Sequence, residues 1–283
     1  MKRKFFITEV FSEKAYGGNQ LATLPDAAGL SSDEMQRIAR AFNFAETTFV
    51  TGGSLAGGYD VRIFTPASEL PFAGHPTLGT SYLLRNVVDP HRASTVTLNL
   101  GVGPISVNFD DSDVLWMRQN QPEFGDVIAP DFVARELGLD PDQLDSDFPC
   151  QLVSTGLEFL MVPLRFYDGL KQAVPPRSGQ LPAACFLFCP GGYDVSQRIQ
   201  ARMFAVELGV TEDPATGSAN GCLAAYLAEH RFFGNTEVTA TVGQGYEINR
   251  PSQLYLSARK HAGSFRIEVG GKVRLVAEGE WLL

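Results

Sequence analysis

The sequence predicts an α+β fold in two similar halves, each a group of strands wrapped around one central helix. Two observations predict it. Strand-like runs recur between helix signals along the whole chain. Two segments half a chain apart also share one unusual design: "ELPFAGHPTLGTSYLL" at residues 69–84 and "EDPATGSANGCLAAYL" at residues 212–227. When Gly74 is set on Gly217, 143 positions away, Glu69 falls on Glu212, Pro71 on Pro214 and Leu84 on Leu227. Each segment opens an apolar, small-residue helix with a glycine and a polar residue, and small residues suit close approach by surrounding strands. Upstream, "VRIF" resembles "ARMF".

The elements follow in order. "KFFITEVF" has the β-branched and aromatic content of a strand, and the Gly17-Gly18-Asn19 turn leads into the short run "QLATL". Ser31 and Glu34 have capping-box spacing, with Leu30 and Met35 placed as a hydrophobic staple. Met35, Ile38, Ala39 and Phe42 then keep helical period. "NFAETTFV" predicts a strand with Phe44, Glu46, Thr48 and Val50 on one face. "YDVRIFTP" predicts another, before the helix near Gly74. There Pro76 suits the first helical position and His75 the N-cap. "STVTLNL", "GPISVNF" and "VLWMRQ" complete the first half, with Trp116 and Met117 expected in the core. Residues 120–130 turn polar and contain prolines, marking a boundary, and "PDFVARELGL" starts the cycle again. Ser218 reads as the N-cap of the second central helix. The domains expected are 1–120, completed by a strand at 270–283, and 121–269.

Composition narrows the function. With 44% hydrophobic and 19% charged residues a substantial core is available, and the composition argues against disorder. A net charge of −9 argues against nucleic-acid or anionic-membrane partners. Cys150, Cys185, Cys189 and Cys222 form no CxxC pair, so no metal site is expected, and buried reduced thiols suit a cytoplasmic protein. The apolar run at the start is cut by Glu9, too early for a signal peptide. No Walker loop and no dinucleotide fingerprint appears.

Chemistry concentrates at the two helix starts. A helix N-terminus offers unpaired N–H groups and about half a positive charge, a receptor for a carboxylate. Glu46 stands in an apolar, threonine-rich strand, where partial burial favours a carboxyl group that both takes and gives protons near neutrality. His75 at a helix start is an acid/base or orienting group held toward its neutral form. Asp213 is either a turn former or part of the same site.

These residues sit in segments that resemble the phenazine-biosynthesis isomerase family, whose fold is shared with diaminopimelate epimerase. The matching stretches are "GNQLATL", "FNFAETTFV", "FTPASELPFAGHPTLG", "VSTGLEFLMVPL", "EDPATGSANGCLAAYL", "GQGYEINRPSQLYL" and "VGGKVRLVAEGEWLL", in order along nearly the whole chain. The resemblance implies two pseudo-symmetric domains, each a barrel-like, mostly antiparallel sheet around a central helix, with the active site in the cleft between them. It implies a cofactor-independent isomerase of a small carboxylic acid, and a homodimer. Glu46 would shuttle the proton, with His75 and Asp213 assisting. Asn19, Gly74, Thr216, Gly217 and Ser218 would bind substrate. The epimerase branch places a cysteine at each helix start, where this chain has His75 and Ser218; Cys222 lies about one turn further on. A thiol-based amino-acid racemase is thereby disfavoured, and a non-catalytic carboxylate-binding protein is the other alternative.

Overall fold

The computed structural model describes residues 2–88, 92–177 and 179–283. It is a mixed α/β chain that divides into two compact units, Met1–Met117 with Gly271–Leu283, and Arg118–Gly270.

In the first unit, β1 (Lys2–Val10) pairs antiparallel with β2 (Asn19–Leu24) and with the last strand of the chain, Val273–Leu282. After α1 (Ser32–Phe42), β3 (Glu46–Ser54) lies parallel to β2 and antiparallel to β4 (Gly58–Phe64). The short β5 (Glu69–Leu70) and α2 (Gly74–Leu83) intervene before β6 (Thr95–Leu100), which is parallel to β4. β7 (Gly103–Phe109) and β8 (Leu115–Arg118) continue antiparallel.

Alternation along β3 assigns its two faces. Phe49 turns outward into a cluster with Met35, Ile38 and Ala39 of α1, and the Ser31–Glu34 capping box is formed at that helix's start. Thr48 turns the other way, onto Thr80 of α2. Helix α2 is buried along nearly its whole length, from His75 to Leu83, which makes it the central helix of the unit. Strands press on it so closely that a Cβ on Gly79 would stand 2.6 Å from Leu21 Cδ2 and 2.9 Å from Val10 Cγ2.

The second unit repeats the same succession of pairings. β9 (Glu123–Val127) and α3 (Pro130–Glu136) precede β10 (Gln151–Ser154), which is antiparallel to β9 and to β11 (Glu158–Pro163). Across α4 (Tyr167–Gln172), β12 (Ala184–Pro190) is parallel to β11 and antiparallel to β13 (Ile199–Phe204). Across α5 (Gly217–Glu229), β14 (Glu237–Gln244) is parallel to β13, and β15 (Ser252–His261) and β16 (Ser264–Gly271) follow antiparallel. Cys185, Leu187 and Cys189 of β12 pack outward with Val133 of α3 and Leu170 of α4. Phe188 faces Tyr226 of the buried α5, with ring centroids 5.5 Å apart.

Four local expectations need correction. Ala73, in an extended conformation, is the N-cap of α2, so Gly74, His75 and Pro76 are its first three helical residues. The whole first turn lacks intrahelical acceptors for its N–H groups, so proline is tolerated at its third position as well as its first. Thr216, not Ser218, is the N-cap of α5, and Ser218 is its second helical residue. Phe44 lies before β3, which starts at Glu46. Met117 is buried as expected, whereas Trp116 is only half-buried and gives its indole N–H to Asp110.

Candidate active site

In the first unit, parallel pairing sets Leu21 of β2 beside Glu46, the first residue of β3. Glu46 shares its face with Thr48, so both side chains turn toward α2. His75, second in that helix, brings Nε2 to 3.3 Å from Glu46 Oε2. The two side chains keep only 8% and 16% of their exposure. Burial drives the His75 pKa down to about 3, opposed by a hydrogen bond from the ring to the backbone of Gln20. The contact is therefore not an ion pair at neutral pH, although its distance alone would allow one. A neutral imidazole has one N–H. Nε2 makes no hydrogen bond within the chain, so the N–H given to Gln20 belongs to Nδ1, and Nε2 turns a lone pair toward Glu46. Asn19, beside Gln20, is buried at the start of β2.

Behind this pair runs a string of hydroxyls. Thr80 Oγ1 donates to Thr48 Oγ1 at 2.8 Å, and Thr48 Oγ1 lies 2.8 Å from Thr23 Oγ1. These bonds tie α2 to β3 and β3 to β2, and so hold the register that sets His75 against Glu46. At the start of α2 no side chain caps the helix, which leaves the first-turn N–H groups of Gly74 and His75 to a ligand or to water.

In the second unit the candidates lie together at the start of α5. Asp213 Oδ2 accepts from Thr216 Oγ1 at 2.5 Å, and the Asp213 N–H donates to Met203 of β13. Arg202 anchors the preceding residue. It grips Glu212 with two hydrogen bonds of 3.1 and 2.8 Å, and its third nitrogen donates to the Leu170 and Ala173 carbonyls. Gly217 is buried, Ser218 is half-buried, and again no side chain caps the helix. Two residues absent from the sequence reading complete the cluster. Gln244, the last residue of β14, and Asn220, in the second turn of α5, are both fully buried and bonded to Thr216. An asparagine in an otherwise small and apolar helical stretch was the available signal for Asn220.

Cys222 lies one turn into α5, with its sulfur 3.6 Å from both Thr155 Oγ1 and the Leu157 carbonyl. Burial pushes its thiol up to about 11, so it is not a thiolate at neutral pH. All four cysteines are buried and free. Among the described residues no group of three or more His, Cys, Asp or Glu side chains is placed to hold a metal ion. No helix there is long and apolar enough to cross a membrane.

Residues 8–279 match the family described as phenazine biosynthesis-like protein. The chain belongs to that family. Trans-2,3-dihydro-3-hydroxyanthranilate isomerase of Pseudomonas aeruginosa is 34% identical over 286 residues, covering 98% of each chain. A phenazine biosynthesis protein of the PhzF family from Bacillus anthracis superposes over both whole chains with a TM-score of 0.91 at 28% identity. A probable proline racemase from Agrobacterium radiobacter shares the fold at a TM-score of 0.60 and 11% identity, over 99% of this chain and 93% of its own. As a phenazine biosynthesis-like protein with curated isomerase relatives, this chain is an isomerase.

Proposed function

We propose that this isomerase moves a proton within a small carboxylic acid without a cofactor, and that Glu46 takes and returns the proton. The observation that carries this reading is the 3.3 Å approach of Glu46 to a histidine that burial keeps neutral. An imidazolium at that distance would hold the carboxylate in its charged form by attraction. A neutral ring whose own N–H is committed to Gln20 supplies no such charge. It offers a lone pair that accepts a hydrogen bond from the carboxyl group when Glu46 carries the proton, without an opposing charge that would keep the proton off.

The uncapped helix starts supply the binding half of the proposal. The N–H groups of Gly74 and His75, and those of Gly217 and Ser218, each suit a carboxylate or another polar group of a substrate. Asn19 and Thr216 add polar contacts, and Asp213 orients the substrate and assists the transfer. The substrate to test first is trans-2,3-dihydro-3-hydroxyanthranilate, on which the P. aeruginosa relative is named to act. A cytoplasmic homodimer is the setting expected for this reaction.

The test is turnover of that compound in heavy water, read by absorbance and by deuterium incorporation. Glu46→Gln should cost between about 10² and 10⁴ in kcat, the range general acid–base groups contribute, with the melting temperature nearly unchanged. Wild-type turnover by that variant would remove Glu46 from the mechanism.

A further inference from the structure

We infer that Gln244, backed by Asn220, is a positioning residue that orients the Asp213 carboxylate through Thr216. The inference rests on the reading above, in which Asp213 acts on the substrate.

The hydrogen bonds at the start of α5 have only one consistent direction. The Asn220 Nδ2 group donates to the Thr216 carbonyl at 3.0 Å and to Gln244 Oε1 at 3.0 Å. Gln244 Oε1 also accepts from the Thr216 backbone N–H at 3.3 Å. Gln244 Nε2 donates to the Asp213 carbonyl at 2.9 Å and to Thr216 Oγ1 at 3.1 Å. A backbone carbonyl can only accept and a backbone N–H can only donate, so neither amide can be flipped without breaking a bond. Thr216 Oγ1 therefore accepts from Gln244, and its single hydrogen goes to Asp213 Oδ2, 2.5 Å away. The chain runs Asn220 to Gln244 to Thr216 to Asp213, each member donating to the next.

The backbone fixes the position of Gln244 as tightly as the amides fix its orientation. Gly245 follows it at φ +77°, and a Cβ there would stand 2.6 Å from the Pro214 carbonyl oxygen. Only glycine allows this approach, which presses the end of β14 against the segment carrying Asp213. Asn220 Oδ1, by contrast, is buried with no hydrogen-bond partner. An apolar residue of similar size would avoid that cost. The directional chain is the evident return for it.

The test compares Gln244→Glu, which keeps the shape of the side chain but has no N–H to give Thr216, with Gln244→Met, Thr216→Val and Thr216→Ser in the full chain. Isomerisation of trans-2,3-dihydro-3-hydroxyanthranilate is measured for each. Gln244→Glu should lower kcat by about 10- to 100-fold, the scale of a small misplacement in an active site, with KM nearly unchanged. Thr216→Val should lower kcat to the same extent and, because Thr216 is also a substrate contact in this reading, raise KM. Thr216→Ser should restore activity, and Gln244→Met with Thr216→Val should be no worse than Thr216→Val alone. Wild-type kcat in Gln244→Glu, or multiplicative losses in the double variant, would overturn the inference. Asp213→Asn separates the two levels. If it is inactive while Gln244→Glu is normal, only the positioning role fails; if it is fully active, the reading of the site fails. A crystal structure of Gln244→Glu decides independently of any substrate. The Asp213 carboxylate should rotate away from its contact with Thr216, and an unchanged contact overturns the inference. Should the Gln244 variants not fold, Thr216→Val against Thr216→Ser carries the kinetic measurement, since only the valine lacks the hydroxyl that accepts from Gln244 and donates to Asp213; equal kcat in the two overturns the inference.

Discussion

Helices α2 and α5 begin on one backbone plan. Each has glycine first, an extended N-cap without a side-chain cap, and a side chain four residues on that returns to the N-cap carbonyl: Thr77 Oγ1 to Ala73, and Asn220 Nδ2 to Thr216. Their furnishing differs. Around α2 stand rotatable hydroxyls, which can exchange the roles of donor and acceptor, and a neutral histidine whose Nε2 lone pair faces a carboxyl group. Around α5 stand primary amides whose partners permit one orientation. The same backbone plan thus carries a string of hydroxyls in one unit and a directional chain of amides in the other.

The second helical residue is where this comparison breaks most sharply. His75 and Ser218 occupy matching positions, yet only His75 meets a carboxyl group, at 3.3 Å. His75→Ala should lower kcat by about 10²- to 10⁴-fold if it supports the proton transfer. Ser218→Ala, which keeps the backbone N–H groups of its helix start, should act mainly on KM. Equal effects on kcat would show that the two helix starts are not specialised in this way.

A second asymmetry is titration. The folded chain protonates His75 only near pH 3, whereas the unfolded chain does so near its ordinary value of 6.5. Between these values the unfolded state binds more protons, so His75 contributes stability above about pH 6.5 and loses it as the pH falls toward 3. The slope is about 1.4 kcal/mol per pH unit. His75→Gln should flatten the fall in denaturation midpoint between pH 6 and 4. A smaller slope of the same sign will remain from half-buried His230, whose pKa burial also lowers. Ser218→Ala should leave the curve unaltered, and an unaltered curve in His75→Gln would mean that the ring is hydrated in solution.

Much of this was legible in the sequence wherever local chemistry decides. The Ser31–Glu34 box needs only four residues and their N–H groups, and it is present. The helix at Gly74 was legible too, but not its first residue, because proline is equally at ease in any position of a first turn. Burial in a strand and position at a helix start put Glu46 and His75 among the candidates, and the family resemblance agreed, but their approach depends on the parallel pairing of β2 with β3 and on the Thr48–Thr80 bond, which no spacing along the chain encodes. Gln244 was harder still. It lies 28 residues from Thr216 and 24 from Asn220, in a segment whose likeness to the family carried no role for it. Its significance comes from the direction of its hydrogen bonds, and direction exists only once the partners are assembled.

The smallest expected contrast lies in the middle of the two helices. Gly79 and Gly221 both sit one turn or more past the helix start, and replacing a helical glycine with alanine gains about 1 kcal/mol where space allows. At Gly221 the new methyl would stand 3.0 Å from Gln119 Cγ and Oε1, atoms of a half-buried side chain rather than of backbone. Gly221→Ala should therefore change stability by less than about 0.5 kcal/mol, gain and crowding offsetting each other. At Gly79 the methyl meets Leu21, Val10 and Thr8, all fully or almost fully buried. Overpacking there costs about 1–3 kcal/mol, which exceeds the propensity gain, so Gly79→Ala should lower the denaturation midpoint. It should also lower activity, because Leu21 is the β-partner of Glu46 and its displacement shifts the strand that carries the carboxyl group. A Gly79→Ala chain more stable than the parent would mean that the sheet around α2 yields more readily than these contacts imply. The hydroxyl string, rather than close packing, would then be what holds His75 against Glu46.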